Sequence, residues 1–266
     1  MGTRSTFCGK LEALTMKYSI VIPTYNHCDD LLKPCVDSIL KYSRMQDVEL
    51  IISANGCVDN TWSYLQDLSQ QFAEIGMQHH FQYVWSDRPL GYSGANNQAI
   101  PRAQTDLIVL LNNDTLLLPQ RRSDWLNSLA APFAQDDQTG ISCVVKSRSD
   151  PADCDFAIFF CVMIHKKVFD KLGLLNEEYG TGGGEDTEFS LECERAGFKV
   201  TQCISKEWST DSGLWVGEFP IYHKGEGTVH DPNLVPDWDD IFWRNAAILS
   251  RKYNPAWLET QQGDKS

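Results

Sequence analysis

Three groups of residues have types and spacing that can do chemistry. The first is Asn112-Asn113-Asp114, directly after the apolar run from Asp106 to Leu111. A carboxylate at the rigid end of a buried strand can bind a hard cation such as Mg2+ or Mn2+, which in turn holds a diphosphate. The same residues also suit a polar turn capped by its own Asx side chains. The second group is Thr181-Gly182-Gly183-Gly184-Glu185-Asp186-Thr187-Glu188. Glycines let the backbone approach a bulky ligand closely. Glu185 and Asp186 then open a predicted helix, where the dipole favours their anionic form and a carboxylate can act as general base towards a hydroxyl. A Gly-rich loop before an ordinary acidic first turn explains the pattern too. The third is His223, with His230 nearby. A neutral imidazole is a good transition-metal ligand, and a surface histidine in a loop is the plainer alternative.

Other patterns argue by what they lack. Gly91-Tyr92-Ser93-Gly94-Ala95 half-matches a nucleophile elbow, but Ala95 stands where the second glycine belongs. The turn after the first strand has no glycines of a dinucleotide fingerprint, and GxxxxGK[ST] is absent, so NAD and P-loop readings fall away.

These residues need a frame, and periodicity supplies one. Strands are predicted from Tyr18 to Pro23, Val48 to Ser53, Phe81 to Trp85 and Asp106 to Leu111. Between them lie amphipathic helices from about Asp29 to Tyr42, about Asn60 to Ile75 (capped by Asn60 or Thr61), and a short one through Ala103. This alternation predicts an α/β fold with a parallel sheet covered on both faces. In such sheets ligands bind beyond the carboxyl ends of the strands. That places Pro23–Asn26, Ala54–Asp59, Arg88–Asn97 and Asn112–Thr115 around one crevice. The second half is less regular. Phe156 to Ile164 reads as one buried strand or two, and helices are predicted over Lys166–Leu172, Glu185–Ala196 and Trp238–Ser250. Phe198 to Cys203 reads as a strand, and Ser205 to Gly227 as loops with short strands.

Composition narrows the class. The 266 residues carry 23 Lys plus Arg against 36 Asp plus Glu, a net charge of −13 that speaks against nucleic acid as main partner and against charge-driven docking on anionic lipid. No apolar run approaches a membrane span, and no secretory signal is read at the amino terminus. Met1 to Thr6 fits the N-myristoylation pattern, but no polybasic second anchor follows, so chance is the preferred explanation. Nine cysteines without a CxxC are read as reduced core thiols of a cytoplasmic protein.

Taken together, these segments resemble the inverting GT-A fold glycosyltransferases of family 2, in particular their rhamnosyltransferase-like members. The likeness rests on YSIVIPTYNHCDDLLKPCVDSIL, VELIISANGCVDNT, RPLGYSGANNQAI, DLIVLLNNDTLLLP and FFCVMIHKKVFDKLGLLNEEYGTGGGEDTEFSLECERAGFKV, in the family's order. The resemblance implies a Rossmann-like nucleotide-binding half with a mostly parallel central sheet and a smaller acceptor-binding half. It places an extension at 1–16, the transferase domain at 17–230 (donor half 17–115, acceptor half 116–230) and a helical segment at 231–266. By position, Pro23, Thr24, Tyr25, Asn55, Gly91 and Asn97 would hold the nucleotide. Asn112 and Asn113 would contact the nucleotide or donor sugar. Asp114 would bind Mn2+ or Mg2+, with His223 as a further ligand and His230 as the lesser candidate. Asp186 would be the catalytic base, with Glu185 beside it. The implied reaction moves a sugar from a UDP- or dTDP-sugar to a hydroxyl of a glycan or lipid-linked acceptor, with peripheral membrane contact through that acceptor. Two positions depart from the family pattern: Ala54 where an Asp is common, and Asn112 for the first Asp of the DxD metal motif.

Trp208, Trp215, Phe219 and Tyr222 are candidates for stacking on an acceptor sugar, or ordinary core and loop aromatics. Two other functions compete. A sugar-phosphate nucleotidyltransferase would need a glycine-rich basic loop after the first strand, where this chain has Thr24-Tyr25-Asn26-His27. A sugar-nucleotide-binding module without turnover would have no need of a positioned base.

Overall fold

The computed structural model describes residues 16–204, 209–211, 214–216, 218–225 and 237–263. The strands are β1 (Tyr18–Thr24), β2 (Val48–Asn55), β3 (Phe81–Ser86), β4 (Leu107–Leu111), β5 (Thr115–Leu117), β6 (Thr139–Cys143), β7 (Lys146–Ser149), β8 (Cys154–Ala157), β9 (Cys161–His165), β10 (Lys199–Gln202), β11 (Ser209–Asp211), β12 (Leu214–Val216) and β13 (Ile221–His223). The helices are α1 (Lys33–Tyr42), α2 (Thr61–Glu74), α3 (Gly91–Ala99), α4 (Asp124–Gln135), α5 (Lys166–Leu172), α6 (Glu185–Arg195), α7 (Trp238–Tyr253) and α8 (Pro255–Gly263).

A seven-stranded sheet runs in the order β10-β6-β9-β4-β1-β2-β3. All its neighbours are parallel except β9, which runs against both β4 and β6. Alternate side chains of each strand feed opposite faces. Ile20, Ile22, Leu50, Ile52, Val109 and Leu111 pack against α1, α2 and α4. Val21, Ile51, Ile108 and Leu110 pack against α3, α5 and α6 on the other face. Each of these aliphatic side chains is at most 1% exposed, so each burial contributes roughly 1.5–3 kcal/mol.

The first half matches the periodicity closely, with two differences of detail. The amino terminus of α2 is capped by neither Asn60 nor Thr61. Asp59 does it, its Oδ1 accepting from Thr61 N (3.1 Å) and Thr61 Oγ1 (2.6 Å). A carboxylate one residue earlier reaches those donors without disturbing the helix start. The first helix is also in two parts: a π-turn over Cys28–Leu32 leads into α1. In the second half the apolar segment from Phe156 to Ile164 breaks at Ile158–Phe160, between β8 and β9. A second sheet, β11-β12-β13-β5, leaves the main one directly after Asp114, and β7 pairs with β8. Residues 116–155, unassigned by periodicity, hold α4, β6 and β7, most of β5 and the start of β8.

All cysteines among the described residues are free thiols, seven of them buried. No helix among the described residues is long and apolar enough to cross a membrane. Residues 1–15 and His230 and Trp208 lie outside the described residues.

Candidate active site

The carboxyl ends of β1, β2 and β4 converge, and short polar bonds tie them together. Asn113 Nδ2 donates to Thr24 Oγ1 (2.9 Å), linking β4 to β1. Asn55 Nδ2 donates to Thr24 O (2.8 Å), and Asn55 Oδ1 accepts from Leu90 N (2.9 Å). Asn55 therefore joins β1, β2 and the loop entering α3, and both of its amide groups are used within the protein. Asn97 is similarly engaged: its Nδ2 donates to Leu175 O (2.8 Å) and Glu177 Oε1 (2.9 Å), and its Oδ1 accepts from Leu175 N (3.0 Å). It docks the chain after α5 onto α3. Pro23 and Tyr25 are half-buried at the rim, beside Asn26 and His27 in left-handed conformations (φ 52° and 57°). Asn26 Oδ1 accepts from Val58 N (2.8 Å), which closes the turn. Ala54 is fully buried in the core, so that position presents nothing to a ligand.

Asp114 and His223 are 109 positions apart and meet because β13 pairs antiparallel with β5, in the register His223 to Thr115. His223 Nε2 lies 3.2 Å from Asp114 Oδ1, with both side chains about nine-tenths buried. The His223 ring stacks on Phe160 (centroids 4.4 Å apart, planes 8° apart), which fixes its orientation. Asn112 Oδ1, two residues before Asp114 in the chain, is buried without a hydrogen-bond partner. A carboxylate oxygen and an imidazole nitrogen 3.2 Å apart form a donor pair that fits a divalent cation such as Mn2+. No cluster of three His, Cys, Asp or Glu is present among the described residues, so the remaining ligand positions would fall to diphosphate oxygens and water.

Glu185 and Asp186 open α6 behind Gly182, Gly183 and Gly184, whose φ values are 137°, 91° and 118°. Only glycine adopts such angles without strain. At this helix start burial opposes the dipole. Desolvation pushes the Glu185 carboxyl well above the usual carboxylate range, and the neighbouring Asp186 charge pushes it further. Desolvation raises Asp186 too, against the opposing pull of hydrogen bonds from Thr187 and the Phe159 backbone. Glu185 Oε2 is buried without a hydrogen-bond partner. The contrast with Glu49 is informative. That carboxylate is fully buried but accepts from Ser19 Oγ, Gln82 Nε2, Gln104 N and Gln104 Nε2 at 2.7–2.9 Å, so it is a satisfied structural group.

The bend at Phe159-Phe160 joins the two acidic centres. The Phe159 backbone hydrogen-bonds Asp186, and Phe159 O accepts from Tyr92 Oη (2.7 Å). The next residue carries the ring that supports His223, and Phe160 O accepts from Asn112 N (2.8 Å). One dipeptide thus touches both the Asp114–His223 pair and the Glu185–Asp186 pair. Gly91 (φ 71°) closes the other side: a Cβ there would lie 1.9 Å from Gly180 O. Sequence reasoning missed Phe159, Phe160 and Tyr92, because nothing distinguishes them from core aromatics until the strands are paired. Ser93 of the half-elbow is buried inside α3, where it presents no nucleophile to solvent. Phe219 is a core residue, 1% exposed, and Tyr222 is half-buried.

Comparison with known proteins bears on the family and the fold. The family profile described as "Glycosyl transferase family 2" matches residues 19–153. An uncharacterized protein, y4gI of Sinorhizobium fredii, is 25% identical over 88% of this chain and 27% of its own length. The O-antigen biosynthesis protein RfbC of Myxococcus xanthus is 23% identical over 70% of this chain and 16% of its own. This chain thus spans about a quarter or less of those relatives. Among solved structures, a mannosyltransferase from Pyrobaculum calidifontis in complex with GDP-Man and Mn2+ superposes with a TM-score of 0.56 and 17% identity, covering 93% of this chain and 73% of that one. With half of its length inside the profile, the chain belongs to glycosyl transferase family 2 and has a GT-A type α/β fold.

Proposed function

We propose that the chain is an inverting, metal-dependent glycosyltransferase that moves a sugar from a nucleoside-diphosphate sugar to a hydroxyl of a glycan or lipid-linked acceptor. The observation that carries this reading is the Phe159-Phe160 bend, with a metal-competent pair on one side and, on the other, a buried Glu185 beside a half-buried Asp186. Asp114 and His223 hold the divalent cation, and Asn112 and Asn113 face the diphosphate or donor sugar. The bound cation supplies neutralisation of charge on the departing diphosphate. Thr24, Tyr25 and Pro23 line the nucleotide side, with Asn55, Gly91 and Asn97 shaping it through the loops they hold.

Asp186 accepts the proton of the acceptor hydroxyl as its oxygen bonds to the anomeric carbon. The bond from that carbon to the diphosphate oxygen breaks, and its electron pair leaves with the nucleoside diphosphate. Attack from the face opposite the leaving group inverts the centre. A raised carboxyl is a better base than an ordinary aspartate. Glu185, kept protonated by burial, can donate a hydrogen bond to the acceptor instead of adding a second negative charge.

The resemblance puts UDP- and dTDP-sugars first as donors. The RfbC likeness supports a glycan as acceptor, a lipid-linked one bringing peripheral membrane contact with it. The buried free thiols suit a reducing compartment such as the cytoplasm. The test is a thermal-shift panel of UDP-, dTDP- and GDP-sugars with and without Mn2+, followed by assay of nucleoside diphosphate release. A true donor raises the melting temperature by mass action, more so with metal. A donor-dependent shift without any release would refute turnover and leave a binding module.

A further inference from the structure

We propose that Asn245, seconded by Arg244, is a positioning residue that sets the catalytic base from α7. The inference rests on Asp186 being the base.

The loop from Tyr179 to Gly184 contains four glycines with left-handed backbone: Gly180 (φ 67°), Gly182, Gly183 and Gly184. Such a stretch has little intrinsic preference for one conformation, so something outside it must select one. Asn245 does this from α7. It is 2% exposed, and its Nδ2 donates to Gly183 O (2.7 Å), Gly182 O (2.9 Å) and Tyr179 O (3.1 Å). Arg244 Nη2 adds a second donor to Tyr179 O (2.9 Å). The Arg244 guanidinium also donates to Asn245 Oδ1 at 3.0–3.1 Å, which fixes the amide so that its NH2 faces the loop. Two amide hydrogens are shared among three carbonyls, so at least one of them is bifurcated and the amide grips the loop at three points.

The clamped loop lies between the two halves of the site. Gly180 O abuts Gly91 at the start of α3, and Gly184 leads into Glu185 and Asp186. A Cβ on Gly183 would lie 3.3 Å from the Trp238 ring of α7, so the helix also covers the loop sterically. Further along, α7 is tied to α6 by Lys252 Nζ to Glu188 Oε1 (2.7 Å) and Tyr253 Oη to Glu192 Oε1 (3.0 Å). It is buttressed by Ile248 and Leu249 packed with Tyr179. The helix therefore holds the base from both the loop side and the helix side. Asn245 and Arg244 touch no reacting atom and act through the loop.

The test is Asn245→Ala, read on Mn2+-dependent release of nucleoside diphosphate from the best donor of the shift panel. We expect kcat to fall about 10- to 100-fold, because misplacing a base by an ångström costs on that order. The donor KM should stay within about threefold, since the nucleotide side is untouched. The acid limb of the pH profile should move to lower pH, because a loosened loop admits water beside Asp186 and relieves the burial that raises it. A merely structural residue would not move that limb. Should Asn245→Ala not fold, Arg244→Ala, which removes one donor from a more exposed side chain, should show smaller changes in the same direction. A folded variant with wild-type kcat and acid limb overturns the proposal. If the wild-type chain itself binds donor but releases nothing, the proposed function fails instead. Hydrogen exchange then decides the clamp: the amides of 180–184 should exchange faster in Asn245→Ala, and unchanged exchange overturns it.

Discussion

Gly91→Ala probes the contact between the donor and base sides of the site. The new methyl would sit 1.9 Å from Gly180 O and 2.6 Å from Gly180 C, both backbone atoms that no rotamer change can move. An ordinary C···O approach is about 3.3 Å or more. The 179–184 loop and the start of α3 must therefore separate by roughly 1.4 Å. Holding a non-glycine residue at φ 71° costs about 1–2 kcal/mol, and overpacking typically adds about 1–3 kcal/mol. The expected loss is about 2–5 kcal/mol, tolerable for a domain of ordinary stability but plain in a urea melt. Separation by more than an ångström should also cut turnover by about 100-fold. Gly76→Ala is the control: its φ is 74° but nothing lies within 4 Å of the new methyl, so only the conformational cost remains, about 1–2 kcal/mol. Turnover should then be unchanged. If the two variants lose equal stability and both keep full activity, the proposed closeness of the two loops is wrong.

Three further outcomes are expected. Asp186→Asn should leave the donor-induced thermal shift near wild type while abolishing transfer, and strong residual transfer would remove Asp186 from its role. Asp114→Ala and His223→Ala should each weaken the Mn2+-dependent part of donor binding in a calorimetric titration; unchanged Mn2+ dependence in both would refute the metal pair. Glu185 holds its proton in the folded chain above the pH at which an unfolded glutamate loses it. In the window from the ordinary carboxylate range up to its raised value, the folded state binds more protons than the unfolded one, so stability falls as pH rises. Glu185→Gln should flatten that slope in melts between the ordinary carboxylate range and about pH 8. An identical slope in both proteins would show that Glu185 is not the group responsible.

Much of the frame was readable in the sequence because its signals are local. Strands β1, β2 and β4 are apolar runs buried on both faces, and α1 and α2 carry period-3.6 stripes between them. The rule that ligands sit at the carboxyl ends of parallel strands then pointed to Thr24, Asn55 and Asp114 without any coordinates. Residues 116–155 were opaque for an equally physical reason. Strands of three to five residues such as Lys146–Ser149, largely polar, show no alternation to detect, and α4 contains Pro132.

By itself the sequence determined which acids and which histidine were candidates, and the alternating sheet and helices that carry most of them. Only the tertiary structure decided which candidates meet. The pairing of β13 with β5 brings His223 to Asp114, and the bend before β9 sets Phe159-Phe160 between the metal-competent pair and Glu185–Asp186. It also set an opposing effect beside the electrostatic expectation: a helix amino terminus favours anions, while desolvation at this position pushes both carboxyls up. Asn245 belongs to this second class as well. Its task depends on three carbonyls more than 60 positions away, and contacts of that range leave no periodic trace in a chain.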